Sequence, residues 1–309
     1  MKPRIRLDFC DFGPNFFKEH NFFYHLLRRR FDIDLTSRPD FLIHSHDGQM
    51  HRMHDCIKIF YTNESIRADF RECDYALTCF YMDDPRHLRF PHYIWDGNAE
   101  DIIKAPDEAA RLVPQKTKFA SFVVSSRNPR RRTDFFMKLS RYKQVDSGGR
   151  VMNNIGGPVA GSFLGKIEFM KPYKFNIAFE NESLPGYTTE KLFEAMKARC
   201  VPIYWGNPRV NEEFNPRSFL NRADFPSDEA LIERIKQIDQ DDTLLAQYLS
   251  QPYYHDNVPN PYFDHERLLD FFEKIFASRD KPVSQRRLFS FGRWMLVKRN
   301  HRHRWPPAI

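Results

Sequence analysis

The sequence predicts an α/β protein built from two domains that face one another across a cleft. Three observations carry this. Short apolar runs of strand length alternate with stretches of helical periodicity along most of the chain. A loop-like stretch, residues 146–161, breaks the alternation once and holds five of the 12 glycines, including Gly148-Gly149 and Gly156-Gly157. Beyond it the alternation restarts, and 309 residues suits two domains of about 100–200 residues each. The expected division is a first domain over 1–155, a second over 156–280, and a tail over 281–309.

Residues 5–9 read as the opening strand. Residues 16–30 read as a helix, because Phe16, Phe23, Leu26 and Leu27 fall near helical spacing. The runs at 41–43, 57–61 and 75–77 are apolar and bounded by polar or turn residues, as in the buried strands of a parallel sheet. A further strand is expected over 119–124 and a helix over 130–142. After the glycines come a strand at 175–179, a helix at 189–199 and a strand at 201–205, then helices at 227–238 and 265–277. No repeat of 20–50 residues is visible.

Composition narrows the functional classes. With 41% hydrophobic and 29% charged residues the chain can bury a core, and wholesale disorder is excluded. Thirty Phe against 12 Gly rules out collagen-like and glycine-rich repeats. No stretch approaches the ~20 apolar residues of a membrane span, and the opening Met1-Lys2-Pro3-Arg4 leads into no long apolar region, so no signal peptide or anchor is expected. The five cysteines (Cys10, Cys56, Cys73, Cys79 and Cys200) are odd in number and never spaced CxxC, which fits a reducing cytoplasm.

The net charge of +7 invites a nucleic-acid reading, but its location argues otherwise. Residues 281–309 contain eight Lys and Arg and no acidic residue, which leaves 40 basic against 41 acidic in the rest. The body is near neutral and the excess belongs to the tail. There Leu288, Phe289, Phe291, Trp294 and Met295 interleave with the basic residues, a pattern suited to an anionic membrane surface. A solvated tail and a final helix docked on the body are the plainer alternatives.

The most informative segment is 173–208, YKFNIAFENESLPGYTTEKLFEAMKARCVPIYWGNP. A strand ends at Phe179, and a polar loop carries Glu180, Asn181, Glu182 and Ser183. Thr188 or Thr189 can cap the helix that follows, with Glu190 and Lys191 in its first turn. The free N–H groups and partial positive charge of such a helix start suit phosphate. A lysine there opposes the helix dipole, and a bound phosphate would give it a reason. No GxxxxGK[ST] or GxGxxG occurs, which argues against a P-loop or a standard dinucleotide site.

This block closely resembles the signature of the α-1,3/4-fucosyltransferases, glycosyltransferase family ten, and its bacterial members above all. The resemblance extends upstream to Phe119-Ala120-Ser121-Phe122-Val123 with Arg132 and Phe135, to Phe60-Tyr61-Thr62-Asn63-Glu64, to Asp74-Tyr75-Ala76, and to Leu88-Arg89-Phe90-Pro91. Around Glu64 the neighbours depart from the family's pattern. Similarity covers roughly 57–276.

The resemblance implies a GT-B architecture of two Rossmann-like domains, an N-terminal acceptor-binding one and a C-terminal one for GDP-fucose. It implies an inverting transfer of L-fucose from GDP-β-L-fucose to the 3-hydroxyl, or alternatively the 4-hydroxyl, of GlcNAc in N-acetyllactosamine-type glycans. Lewis-antigen structures on lipopolysaccharide or on glycoproteins are products of that kind. By matched position, Glu64 corresponds to the general base, and Arg132 and Lys191 to the residues that hold the diphosphate. Asn181, Tyr187 and Glu190 match the remaining donor-site positions. No metal is expected to be required, though Mn2+ or Mg2+ could stimulate. The expected location is the cytoplasm, peripheral on the inner face of the bacterial inner membrane. The rivals are another GT-B nucleotide-sugar transferase, or a non-catalytic basic protein that binds lipid or nucleic acid through its tail.

Other patterns carry less. Asp239-Gln240-Asp241 and Asp83-Asp84 resemble a DxD metal site, but Asp239 falls at an expected helix end, where a solvated cap is the simpler reading. His44, His46, His51, His54 and Cys56 cluster, yet their spacing fits no standard zinc pattern, and the resemblance places this region toward the acceptor.

Overall fold

Six strands form the first sheet: β1 (Arg4–Cys10), β2 (Asp32–Leu35), β3 (Phe41–His44), β4 (Ile57–Tyr61), β5 (Tyr75–Thr78) and β6 (His87–Arg89). Their order is β2-β1-β3-β4-β5-β6, and every neighbouring pair is parallel. A parallel sheet is covered on both faces, so its central strands are mostly apolar. All residues of β3 and β4 are buried accordingly. The computed structural model describes residues 1–126, 130–159, 163–278 and 280–286.

The second sheet holds β7 (Lys118–Phe122), β8 (Val145–Ser147), β9 (Tyr173–Phe179), β10 (Val201–Trp205) and β11 (Leu220–Asn221), in the order β11-β10-β9-β7-β8. It too is parallel. Here the expected boundary at 155 is corrected. β7 pairs with β9, Ala120 opposite Phe175, and β8 pairs with β7. The second domain therefore begins before residue 118, not at 156. Two of the glycines that suggested a linker, Gly148 and Gly149, answer a packing need instead. Gly148 donates its N–H to the Phe122 carbonyl at 2.9 Å, and a Cβ on Gly149 would run into the Val124 carbonyl oxygen. A Cβ on Gly148 would likewise meet the ring of Phe169, so this close approach needs both side chains absent. Gly161 lies outside the described residues.

The helices are α1 (Phe22–Leu27), α2 (Tyr93–Asp96), α3 (Glu108–Leu112), α4 (Arg130–Ser140), α5 (Phe163–Met170), α6 (Glu190–Lys197), α7 (Asp228–Gln240), α8 (Asp242–Ser250), α9 (His265–Ala277) and α10 (Val283–Arg286). α1 is far shorter than the 16–30 expected. Asn21 caps it by accepting the Tyr24 N–H at 3.0 Å, and its amide donates back to the carbonyls of Phe17 and Lys18. Residues before it form turns.

α9 corrects the division a second time. Leu268, Phe271, Phe272 and Ile275 pack with Leu26, Leu27, Phe31 and Phe41 of the first domain. Arg30 pairs with Glu266, Asp270 and Glu273, each at 2.7 Å. The chain thus crosses back, and the first domain is completed by a helix from the far end of the sequence. The start of the tail stays with it: Val283 N–H donates to Asp74 Oδ1 and Ser284 Oγ to Asp55 Oδ1, both at 2.7 Å. The amphipathic tail itself, from 287 onward, lies outside the described residues. Among the described residues no helix is long and apolar enough to cross a membrane, and the five cysteines are free thiols.

Candidate active site

In open parallel sheets the crevice beyond the carboxyl ends of the strands is where ligands bind. β9 ends at Phe179, and Glu180 follows, fully buried. Its carboxylate accepts the Thr189 N–H at 2.7 Å and the Thr189 hydroxyl at 2.6 Å, which ties both ends of the 180–189 loop together. Thr189 is the residue before α6, but its hydroxyl goes to Glu180 and does not cap the helix. Lys191 Nζ then lies 2.9 Å from Thr189 Oγ1, 3.3 Å from Glu190 Oε1 and 3.4 Å from Glu180 Oε2. These carboxylates explain how a lysine persists at the positive end of a helix. Burial acts to lower the Lys191 pKa, and Glu190 and Glu180 outweigh it and raise it. Glu190 is the mirror case. Burial acts to raise its pKa, but Lys191, His92 and Lys166 hold it well below the usual carboxylate range.

Three successive arginines open α4, and consecutive helical residues point ~100° apart. Arg130 is exposed, while Arg131 pairs with Asp228 at 2.6 Å. Arg132 turns inward, 2% exposed, and donates to Asn181 Oδ1 and to the Ser126 carbonyl, both at 2.6 Å. Burial lowers its pKa against the charges of Glu180, Glu190 and Glu64, which all reach it.

Glu64 comes from the other domain, on the loop after β4. Thr62 Oγ1 accepts the Glu64 N–H at 3.0 Å. Tyr187 crosses from the second domain and donates its hydroxyl to Glu64 Oε2 at 3.3 Å. Burial, reinforced by nearby carboxylates, raises the Tyr187 pKa, so the phenol stays a donor. His92, at the start of α2, makes a second bridge: its Nε2 lies 3.8 Å from Glu190 Oε2 and its Nδ1 3.4 Å from Tyr61 Oη. Burial keeps His92 below its ordinary pKa against the pull of Glu190 and Asp96. All six residues singled out from the sequence are therefore linked to one another by hydrogen bonds or charge where the two domains meet.

A cleft of about 320 Å³ opens at Asn63, the residue before Glu64, and is lined among others by Phe12, Phe16, Tyr61, Trp95, His46 and His92. Phe12 and Phe16 stack at 3.9 Å between ring centroids, and Tyr61 and Trp95 at 4.9 Å. Of the histidine cluster only His44 and His51 come together, with Asp11, within 4.8 Å of one another. His44 and His51 are stacked, centroids 4.2 Å apart and planes 14° from parallel. An ion must lie in the plane of each imidazole that binds it, and two stacked rings share no such point. Asp11 spends its carboxylate on the N–H groups of Met50 and His51 and on the His51 ring. Of the DxD candidates, Asp239 is buried, not solvated as expected, and pairs with Lys143 at 3.0 Å, while Asp241 caps α8 and Asp84 pairs with Arg86.

Sequence reasoning gave no role to Glu180, His92, Glu194 or Lys166. Glu194 could have been found: it stands one turn after Glu190 on the same face of α6. His92 and Lys166 reach the site only through tertiary packing.

A model of the "Alpha-(1,3)-fucosyltransferase FucT N-terminal domain" matches residues 7–95, and one of "Glycosyltransferase family 10 (fucosyltransferase) C-term" matches 113–259. The chain belongs to glycosyltransferase family 10. These two spans agree with the two sheets. This family 10 chain is 31% identical to the alpha-(1,3)-fucosyltransferase FucT of Helicobacter pylori over 70% of its own length and 52% of that protein. It is 29% identical to the GDP-fucose protein O-fucosyltransferase 3 of Xenopus laevis, over 62% of its length and 40% of that protein. It therefore spans about half or less of the curated relatives it matches. Among solved structures it resembles an alpha1,3-fucosyltransferase crystallised with GDP-fucose, with a TM-score of 0.76, 27% identity, and coverage of 91% of this chain and 92% of that one. The fold is GT-B, as the sequence block implied.

Proposed function

We propose that this family 10 chain transfers L-fucose from GDP-β-L-fucose, with inversion, to the 3-hydroxyl of GlcNAc in N-acetyllactosamine-type glycans. The second domain binds the donor and the first binds the acceptor. The observation that carries this is the meeting of Glu64, from one domain, with Tyr187, from the other, at 3.3 Å, beside the cations Arg132 and Lys191. Inverting transfer is a single in-line displacement. The acceptor hydroxyl attacks the anomeric carbon, the bond from that carbon to the β-phosphate oxygen breaks, and GDP leaves with the electron pair. Glu64 takes the hydroxyl proton, for which it must come within ~3 Å of the acceptor oxygen. Negative charge grows on the departing phosphate, and in this reading Arg132 and Lys191 meet it. Both countercharges come from side chains, so a divalent cation is not required by this reading. Sugars present flat C–H faces, and the aromatic walls of the 320 Å³ cleft at Asn63 suit one.

Product linkage analysis after reaction of GDP-fucose with type 1 and type 2 acceptors tests the proposal. An α-1,3 product on the type 2 acceptor supports it. A 4-linked product, or fucose on a protein hydroxyl only, overturns the acceptor assignment. Competition by UDP in place of GDP would point to another GT-B nucleotide-sugar transferase. Attachment to an anionic membrane through 281–309, on the cytoplasmic face, and products of Lewis type on lipopolysaccharide belong to the same proposal and rest on the sequence of the tail and on the family.

A further inference from the structure

The turn that carries Tyr187 is fastened from both domains. On one side of Tyr187, Gly186 donates its N–H to Asn207 Oδ1 at 2.8 Å, and its carbonyl accepts from Arg89 Nη2 at 3.0 Å. Gly186 has φ +92°, and a Cβ there would run into the carbonyl oxygen of Cys79. The turn therefore lies directly on the first domain, just past the end of β5, and only glycine fits. On the other side, Thr188 Oγ1 donates to Glu213 Oε1 at 3.2 Å. Glu213 is fully buried and accepts three further bonds, from Arg89 Nη2 at 2.7 Å, Asn207 Nδ2 at 2.7 Å and Tyr93 Oη at 2.9 Å. Burial raises the Glu213 pKa, while the Arg89 guanidinium and the three further donors on the same carboxyl group oppose it and favour the ionised form, an acceptor only. Arg89 in turn donates Nε to the Cys79 carbonyl at 2.9 Å, and its guanidinium lies between the rings of Tyr81 and Tyr262, 4.3 and 4.2 Å away.

We propose that Arg89 and Glu213 are positioning residues for Tyr187. They form a buried ion pair across the domain boundary that fixes the 186–188 turn and so holds the Tyr187 hydroxyl on Glu64. Neither side chain lines the cleft. They act on the base at one remove, through the phenol that meets Glu64 at 3.3 Å. The planar fork of an arginine explains the residue type: one edge serves Cys79, and a single Nη2 serves both Gly186 and Glu213. A lysine's point charge on a flexible stem cannot hold three acceptors in that fixed arrangement. Small displacements matter here, because misplacing a reacting group by about 1 Å can cost ~10²-fold in rate. The inference rests on the reading of Glu64 as the base.

A double-mutant cycle of Glu213→Gln with Tyr187→Phe tests it, with kcat, KM for GDP-fucose, the pH–rate profile and thermal melting measured for each variant. Glu213→Gln alone is expected to lower kcat by about 10–10²-fold, to alter the acid limb of the profile, and to change KM little. In the Tyr187→Phe background the same substitution is expected to cost less than about threefold, because the phenol through which it acts is gone. Additive losses, or a loss of kcat that follows thermal melting with an unchanged pH profile, overturn the proposal. Arg89→Lys, which keeps the charge and loses the fork, carries the same cycle should Glu213→Gln not fold. Glu64→Ala runs in parallel. Near-wild-type turnover there removes the base reading, while the coupling between Glu213 and Tyr187 still stands or falls on the cycle.

Discussion

At the scale of single residues the site is a balance of buried charges. Lys191 neutralises two carboxylates, Glu180 and Glu190, within 3.4 Å. A donor diphosphate would bring more negative charge to the same ammonium, next to Arg132. Lys191→Ala is therefore expected to weaken GDP binding by ~1.5–3 kcal/mol, tenfold or more, as for the loss of a charged hydrogen bond. Turnover should fall further, since the leaving phosphate carries more charge in the transition state than before it. Calorimetry with GDP and steady-state kinetics check both parts, and Lys191→Arg should rescue only partly. Unchanged GDP binding in a folded Lys191→Ala protein would move the diphosphate site away from α6. Glu64→Ala should lower turnover by about 10²–10⁴-fold and leave GDP-fucose binding nearly intact. The carboxylates nearby in sequence are already engaged, Asp69 with Arg71 and Glu72 with Arg52. Turnover near wild type in this variant would nevertheless send the search for the base to them.

At the scale of elements, α6 sets the electrostatics around Lys191. Its first and second turns carry Glu190 and Glu194 on one face, and Lys166 of α5 pairs with Glu194 at 3.0 Å. Burial first, and the charge of Glu190 second, push the Glu194 pKa up to about 7 against the pull of Lys166. A carboxyl group whose pKa is raised in the folded state binds its proton more tightly there than in the unfolded chain. The stability it contributes is complete below its ordinary value of 4.5 and is lost as pH rises through about 7. Wild-type melting temperature should thus decline between pH 5 and 8 relative to Glu194→Gln, and the two curves should meet near pH 5. Parallel curves in differential scanning fluorimetry across that range would show that Glu194 does not titrate there.

At the scale of the whole molecule, two sheets, a returning helix and a clamp of buried charges hold the crevice. In the proposed reading the countercharge for GDP comes from side chains on two different elements, Arg132 of α4 and Lys191 of α6. Activity is accordingly expected to persist in excess EDTA, with at most a stimulation by manganese or magnesium. Complete loss, restored by manganese alone, would contradict this. α10 is anchored to Asp74 and Asp55, so a truncation meant to remove only the basic tail should start at 287. Removal of 287–309 is expected to leave kcat unchanged and to weaken sedimentation with anionic vesicles. Each basic residue near such a surface contributes ~1 kcal/mol, and six are removed. Equal sedimentation of the truncated and full chains would exclude the tail as the anchor.

What the sequence determined by itself was whatever is encoded locally. Strands β4 and β10 and helix α9 coincide with the expected 57–61, 201–205 and 265–277, because burial and periodicity are written in consecutive residues. The strand–loop–helix of 173–208 placed Asn181, Tyr187, Glu190 and Lys191 on one local unit, and they remain together in the fold. Tertiary structure decided everything that depends on non-local pairing. Parallel strands meet across long connections, so nothing near residue 119 announces that β7 pairs with β9 rather than extending the first sheet. Three adjacent arginines look alike in sequence, and only the docking of α4 on its sheet turns Arg132 inward to Asn181. Glu64 meets Tyr187, and Arg89 meets Glu213, across separations of 123 and 124 residues. Such contacts exist because two domains close on one another, and the closure is a property of packed surfaces that no stretch of sequence carries alone.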